Sequence, residues 1–220
     1  PLHHRGWRGP SAKAPLRETV AAACLTASGW TPDRSLVDPF CGSGTFVIEA
    51  ARRAAGIAPG ADRGFAFQGW PTFAPGTWAS VQAHVDGLRT TEVIAPILGR
   101  DRDAGAAEAT RENAARAGVG DRVTVEHGAV SDARPPDGAS GGQLIANPPW
   151  GGRTAGGGDL RDLHARIGQV AKGAFPGWDV ALLVADPRLA RSTGLDFSVR
   201  LHARAGANDI SLLATDPAAR

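Results

Sequence analysis

The stretch that decides the fold is SLVDPFCGSGTF, residues 35–46, which runs directly into VIEAARR, residues 47–53. Its apolar start predicts a short buried strand ending at Asp38, followed by a glycine-rich turn and a helix. Gly42 and Gly44 have no Cβ, so a ligand can lie over the turn and meet backbone N–H groups at the helix start. Asp38 can bind a cationic or hydroxyl group. The turn is not a phosphate loop, because no Gly-Lys-Ser/Thr follows, and it lacks the third glycine of a dinucleotide fingerprint.

Strands and helices alternate along the rest of the chain. Further strands are predicted at residues 94–101, 123–127, 143–146 and 180–185, and helices at residues 14–28, 47–53, 103–118 and 160–175. Residues 197–203 and 209–214 are predicted to form a closing hairpin around residues 206–208. This order indicates the α/β class, with a doubly wound Rossmann-like sheet that is mostly parallel and ends in a C-terminal antiparallel hairpin.

Residues 56–92 interrupt the alternation, because the second strand of a minimal nucleotide fold begins about 20 residues after the first. This segment is rich in Gly, Pro and aromatic residues and becomes helical around residues 78–88. It is predicted to be an insertion in a domain that covers residues 14–220. We expect Phe65, Phe67, Trp70 and Phe73 to pack the insertion onto the domain rather than to stack on bases.

Chemically useful residues follow the predicted strands. Asp101 ends the second strand, where a carboxylate receives the ribose hydroxyls of an adenosine cofactor; the alternative is a surface salt-bridge cluster within residues 100–103. Ligands of doubly wound sheets bind outside the carboxyl ends of the strands. The residues predicted to share one crevice there are Asp38, Asp101, Ala129 and Asn147.

The fourth strand ends in the turn Asn147-Pro148-Pro149-Trp150. The two prolines donate no backbone hydrogen bond and fix φ, so the turn is stiff. The Asn147 side-chain oxygen and the Pro148 carbonyl can accept hydrogen bonds, and Trp150 offers a flat apolar face. Two acceptors beside a stacking surface fit a planar ring that carries an exocyclic NH2 group; the alternative is a proline-rich loop with a core tryptophan. These four residues are the catalytic candidates.

Composition sets broad limits on function. The chain has 220 residues, enough for a single large core, and its net charge of +2 permits a nucleic-acid partner without requiring one. Its two cysteines, Cys24 and Cys41, form neither a disulfide framework nor a zinc site, and we interpret Cys41 as a packing residue rather than a nucleophile. No apolar run approaches the roughly 18 residues of a membrane span. These features predict a soluble, cytoplasmic protein without a metal site.

Residues 1–13, PLHHRGWRGPSAK, form a basic segment with interleaved His and Trp residues. Arg5, Arg8 and Lys13 could neutralise phosphates while Trp7 stacks on a base. The alternative is a solvated connector. We therefore predict a basic N-terminal linker segment ahead of the catalytic domain.

The motifs DPFCGSGT at residues 38–45 and NPPW at residues 147–150 resemble those of S-adenosylmethionine-dependent amino-methyltransferases. The chain also resembles, over nearly its whole length, the THUMP-associated RNA guanine-N2 methyltransferases. The segments that carry this resemblance are residues 2–8, 14–18, 57–60 and 147–153. The resemblance implies S-adenosyl-L-methionine as cofactor and ribosomal or transfer RNA as partner. It also implies that an RNA-capturing THUMP domain precedes Pro1 in the natural protein.

The resemblance assigns a set of residues to the cofactor. They are Asp38, Pro39, Cys41, Gly42, Ser43, Gly44, Thr45, Asp101, Arg102, Ala129, Val130 and Asn147. Position 129 departs from the family, which usually has an Asp there that contacts the adenine amino group. Here the backbone amides of Ala129 and Val130 are expected to suffice.

Three other functions remain open at this stage. An adenine-N6 methyltransferase on DNA or RNA suits the same tetrapeptide, because adenine also presents an exocyclic amine. A protein-glutamine methyltransferase uses Asn-Pro-Pro-aromatic as well, but normally with Tyr. A non-catalytic RNA-binding module with a relic cofactor cleft is the third, and Ala129 is its main support.

Overall fold

The computed structural model describes residues 4–9, 16–90, 92, 95–150 and 159–216. Its centre is a seven-stranded sheet with the order β3-β2-β1-β4-β5-β7-β6. The strands are β1 (Ser35–Asp38), β2 (Ile97–Asp101), β3 (Thr124–His127), β4 (Gly142–Ala146), β5 (Asp179–Val184), β6 (Ser198–Ala205) and β7 (Asn208–Ala214). The first five strands pair in parallel, and β7 pairs antiparallel with both β5 and β6. The predicted doubly wound sheet with a closing hairpin is therefore confirmed.

Helices cover both faces of the sheet. They are α1 (Glu18–Ala27), α2 (Thr45–Ala54), α3 (Pro75–Asp86), α4 (Ala104–Arg116), α5 (Leu160–Ala174) and the single turn α6 (Pro187–Ala190). Helices α1, α2 and α4 share one apolar core with alternate strand residues such as Leu36 and Ile145. Helices α5 and α6 share the second core with the intervening residues, such as Val37 and Leu144. Successive residues of a strand point to opposite faces of the sheet. Because helices cover both faces, the central strands are apolar throughout.

Element boundaries differ from the predicted ones by a few residues. Helix α1 begins at Glu18 rather than near Ala14, because Arg17 has an extended conformation with φ −69° and ψ 139°. Strand β2 begins at Ile97 rather than residue 94. The short helix α6 was not predicted, although Asp186 caps it by accepting a hydrogen bond from the Arg188 amide at 3.0 Å and proline follows at its first position.

The insertion is organised around its own aromatic side chains. Phe67 contacts Phe65, Trp70, Phe73 and Trp78 at ring-centroid distances of 5.2–6.5 Å. No residue of α3 is buried, and Trp70 is 62% exposed. The expectation that these aromatic residues pack the insertion onto the domain as core residues was therefore wrong. They pack mainly on one another.

Residues 4–9, which we call the N-terminal strap, lie against the domain. Trp7 is 2% exposed within the core that includes α1 and α2, so its ring cannot stack on a base. Arg5 is buried and donates to both carboxylate oxygens of Glu49 on α2, at 3.2 and 3.3 Å. Neither RNA contact nor a solvated connector describes these two side chains. Lys13 and the rest of residues 10–15 lie outside the described part of the chain.

Candidate functional site

Four parallel strands bring the predicted site residues to one edge of the sheet. Strand β1 lies between β2 and β4, where the strand order reverses. Asp38 pairs with Gly99, so Asp101 ends β2 two residues farther on. Val37 pairs with Leu144, so Asn147 emerges from β4 at the same edge. This is the position at which doubly wound sheets bind ligands.

The glycine turn after β1 has the conformation that its glycines allow. Gly42 and Gly44 have φ of 56° and 89°, in the left-handed region that favours glycine. A Cβ on Gly42 would meet nothing within 4 Å, so space above the turn is open. Gly44 is the N-cap residue just before α2 and offers no side-chain cap, which leaves the first N–H groups of the helix for another acceptor.

Asp101 holds this turn in place. Its Oδ2 accepts a hydrogen bond from the Gly42 amide at 2.9 Å, and its Oδ1 accepts one from the Asp103 amide at 2.9 Å. The sequence predicts ribose binding for Asp101, with a surface salt-bridge cluster as the alternative, and neither includes this contact between β2 and the turn. Each carboxylate oxygen keeps a further lone pair, so the two roles are compatible. Asp103 itself caps α4.

Helix α4 binds the turn through two polar side chains that sequence reasoning also missed. Thr110 Oγ1 donates to the Gly42 carbonyl at 2.7 Å, and Asn113 Nδ2 donates to the Ser43 carbonyl at 2.9 Å. Both residues are fully buried. Their spacing of three residues puts them on one face of an alanine-rich helix, and this was the available signal.

Asp38 is a buried acid at the end of β1. It is 1% exposed, and its Oδ1 accepts a hydrogen bond from the Phe40 amide at 3.0 Å. Burial raises the pKa of Asp38 from 3.8 to about 8; the Phe40 amide opposes this shift, and the nearby charge of Asp101 adds to it. Near neutral pH the carboxyl is therefore mostly protonated until a cation approaches it.

Cys41 is a packing residue, as predicted. It is 5% exposed, and its amide donates to the Arg100 carbonyl at 3.0 Å. Burial, with a smaller contribution from Asp38, raises the pKa of the Cys41 thiol, so no thiolate is available for nucleophilic attack. Pro39 is buried in the same turn.

The turn after β4 contains an unused hydrogen-bond acceptor. The Asn147 side-chain oxygen is buried and has no hydrogen-bond partner among the described residues. Pro148 is buried, whereas Pro149 and Trp150 are half-buried. The Trp150 indole N–H donates to the Leu183 carbonyl at 3.2 Å, which anchors the turn to β5. This anchor adds a structural role to the stacking role predicted for Trp150.

The remaining predicted residues lie beyond β2 and β3. Arg102 is exposed, and its carbonyl contacts His127 Nε2 at 3.1 Å. Ala129 and Val130 lead into a short 3-10 turn at the same edge, and the Gly128 amide before them donates to the Asp101 carbonyl at 2.9 Å. These residues follow β2 and β3, which pair in parallel beside β1, so they lie at the carboxyl-end edge of the sheet. Direct contact with a cofactor stays a prediction for them.

The arrangement fits S-adenosylmethionine. A buried acid, an open glycine turn and an uncapped helix start lie at the edge of the sheet where the Asn147 oxygen has no partner among the described residues. A family model described as RMKL-like, methyltransferase domain, matches residues 5–212. The chain belongs to this family of methyltransferase domains.

Individual relatives agree with this assignment. The Synechocystis protein named “Putative RNA methyltransferase slr0064” is 39% identical over 214 residues, which are 96% of this chain and 55% of that protein. A structure described as “SMU.472, a putative methyltransferase complexed with SAH” is 31% identical, with a TM-score of 0.87 over 97% of this chain and 55% of that one. A Listeria monocytogenes structure, “a predicted N6-adenine-specific DNA methylase”, is 33% identical, with a TM-score of 0.82 over 96% of this chain and 54% of that one. The chain spans about half the length of these relatives.

The methyltransferase-domain relatives confirm two predictions. The fold is that of the Rossmann-like methyltransferases, and S-adenosyl-L-methionine is the cofactor, since SAH is its demethylated form. Among the described residues, no group of three His, Cys, Asp or Glu side chains could hold a metal ion. No helix in that part of the chain is long and apolar enough to cross a membrane. The cytoplasmic setting and the THUMP domain stay predictions.

Proposed function

We propose that this methyltransferase domain transfers a methyl group to the exocyclic amine of a base in RNA, and that the base is guanine, methylated at N2 in ribosomal or transfer RNA. The observation that carries the proposal is the Asn147 side-chain oxygen, buried and without a partner among the described residues. A buried acceptor without a hydrogen bond is costly, which favours a ligand that donates one.

The chemistry follows from the weak nucleophilicity of an aromatic amine, whose lone pair is delocalised into the ring. The two N–H groups of the amine donate to Asn147 Oδ1 and the Pro148 carbonyl, which turns the nitrogen towards tetrahedral geometry. S-adenosylmethionine supplies the methyl group on a positively charged sulfur, a good leaving group for in-line displacement. The two carbonyl dipoles stabilise the positive charge that develops on the amine nitrogen. The product then loses a proton to water, so no strong base is required.

Positioning supplies much of the rate enhancement in this mechanism, because holding two reactants in line is worth about 7 to 11 kcal/mol. The prolines of the turn and the bond from Trp150 to the Leu183 carbonyl keep the acceptors rigid. A base in structured RNA must be unpaired or flipped out to reach them, and the half-buried Trp150 ring would stack on it.

The RNA substrate is supported by the name of the Synechocystis relative, and guanine N2 by the sequence motifs that the chain shares with guanine methyltransferases. A second candidate is adenine N6, because the Listeria relative is described as an N6-adenine-specific DNA methylase. The same two acceptors would serve the adenine amine.

A product analysis decides between these candidates. The full protein is incubated with tritiated S-adenosylmethionine and ribosomal RNA, transfer RNA or DNA, and the nucleic acid is digested to nucleosides. Label in N2-methylguanosine from RNA supports the proposal, whereas label in N6-methyladenosine from RNA or N6-methyl-2′-deoxyadenosine from DNA supports the second candidate. Label in protein alone, or in nothing, contradicts both.

A variant tests the role of Asn147. We expect Asn147→Ala to abolish methyl transfer while cofactor binding, measured by calorimetry, is retained. The matched control is Asn208→Ala, at an exposed position of the β6–β7 hairpin, which should keep full activity. Undiminished turnover of Asn147→Ala would refute the assignment.

A further inference from the structure

The strap of residues 4–9 reaches the cofactor turn through one arginine. Arg8 follows the buried Trp7, and its guanidinium carbon lies 4.9 Å from the Trp7 ring centroid. The Arg8 side chain is only 17% exposed. An arginine in a basic N-terminal segment usually faces solvent or a nucleic acid. This one faces the domain.

The Arg8 guanidinium bonds to three different parts of the domain. Its Nε donates to Glu18 Oε1 on α1 at 3.0 Å, and one terminal nitrogen donates to the Leu16 carbonyl at 3.1 Å. It also donates to Ser43 Oγ at 2.8 Å and to Thr45 Oγ1 at 2.9 Å. Four of its five N–H groups are thus engaged in the fixed planar arrangement that only arginine offers.

The two hydroxyls bound by Arg8 flank Gly44, the N-cap residue of α2, which has φ of 89°. A second link runs parallel to the first: the Gly9 amide donates to Asn113 Oδ1 at 3.0 Å, and Asn113 Nδ2 donates to the Ser43 carbonyl at 2.9 Å. The strap and α4 therefore both hold the turn, the strap through the side chains of Ser43 and Thr45 and α4 through the Ser43 carbonyl. The hydroxyls of Ser43 and Thr45 are directed to Arg8, so their first role is to fix the turn.

We propose that Arg8 is a positioning residue of the cofactor site, which acts through Ser43 and Thr45 to hold the glycine turn in its binding conformation. The proposal concerns the cofactor and does not depend on which base is methylated. It makes the strap a part of the cofactor site rather than a linker.

The test measures cofactor affinity in folded variants. Arg8→Met keeps the length of the side chain but leaves the buried Glu18 carboxylate without its partner, so it is combined with Glu18→Gln. We expect the double variant to bind S-adenosylhomocysteine about tenfold more weakly, the scale typical of coupling between a second residue and a binding site. Arg8→Lys, which keeps the charge but not the planar fork, should give an intermediate loss. Arg204→Met on the exposed hairpin is the matched control and should change affinity by less than about twofold.

A double-mutant cycle separates positioning from a general loss of stability. The Arg8→Met/Glu18→Gln pair is introduced again in a Ser43→Ala/Thr45→Val background, and calorimetry is done well below each melting temperature. If Arg8 acts through the two hydroxyls, the Arg8→Met/Glu18→Gln pair weakens cofactor binding much less in the Ser43→Ala/Thr45→Val background than in the wild-type background. Equal losses in both backgrounds would overturn the proposal, as would wild-type affinity in both Arg8→Lys and the double variant. The result stands whether or not RNA proves to be the substrate.

Discussion

The burial of Asp38 predicts how many protons the protein releases when the cofactor binds. Its pKa is raised by burial to about 8, so with ordinary titration about nine tenths of free protein carries this proton at pH 7 and about one tenth at pH 9. A cationic cofactor at the carboxyl end of β1 favours the ionised form. Binding of S-adenosylmethionine should therefore expel about 0.9 proton from Asp38 at pH 7 and about 0.1 at pH 9.

Calorimetry in two buffers with different ionisation enthalpies measures this number directly. The cofactor and other side chains add protons of their own, so the quantity that matters is the difference between wild type and Asp38→Asn at each pH. The difference should fall from about 0.9 to about 0.1 across this interval. The pH dependence of affinity gives the same information. Below pH 8, the logarithm of the wild-type binding constant should increase by about one unit per pH unit more than that of Asp38→Asn; above pH 8, this difference between the two slopes should disappear.

The folded state alone gives a second readout of the same group. A proton is retained on Asp38 in the folded chain from its unfolded pKa of 3.8 up to about 8. The stabilising contribution of this group is therefore complete below about pH 4 and is lost as pH rises towards 8. Asp38→Asn should remove this part of the pH dependence of the unfolding free energy. Equal proton counts in wild type and Asp38→Asn at pH 7 would show that Asp38 does not meet the cofactor cation.

Two further predictions concern the turns that frame the site. Gly44→Ala should destabilise the protein by about 1 to 3 kcal/mol and weaken cofactor binding, because its Cβ would lie 2.8 Å from Thr110 Cγ2 at φ of 89°; denaturant unfolding and calorimetry measure the two effects. Trp150→Phe keeps a ring but loses the bond to the Leu183 carbonyl, so it should cost about 1 kcal/mol and lower the rate constant more than cofactor affinity. Steady-state kinetics with unchanged kcat would contradict that role.

The sheet could be predicted from sequence because its signals are local. The apolar run before Asp38 and the one before Asn147 are each bounded by prolines, so both strand ends were identified within one residue. Strand alternation then placed both residues at the same edge of the sheet. Helix starts were less certain: α1 begins after the extended Arg17, and the Leu16 carbonyl before it accepts hydrogen bonds from Arg8 and Thr45, neither of which belongs to α1.

The supports of the site could not be predicted, because they join residues that are distant in sequence. Arg8 lies 35 residues from Ser43, and Asp101 lies 59 residues from Gly42. Arginine and tryptophan in a short basic segment suit RNA binding, a linker and a buried strap equally well. Only the tertiary contacts of Trp7 and Arg8 distinguish these uses. The prediction for the aromatic insertion was wrong for a different reason. Its composition is typical of a core, yet Trp70 is exposed.

The glycine turn and the turn at Asn147 differ in whether other residues of the chain supply their hydrogen-bond partners. The turn at Gly42 and Gly44 is held by Asp101, Thr110 and Arg8, so its conformation exists before a ligand arrives. The Asn147 oxygen has no such partner in the described chain. A cofactor can therefore bind to a preformed turn, whereas the acceptor at Asn147 is satisfied only when a donor enters beside it. This difference predicts that cofactor and acceptor amine bind in separable steps. It is the reason that Asn147→Ala should remove catalysis and keep cofactor binding, whereas Arg8→Met/Glu18→Gln should weaken cofactor binding.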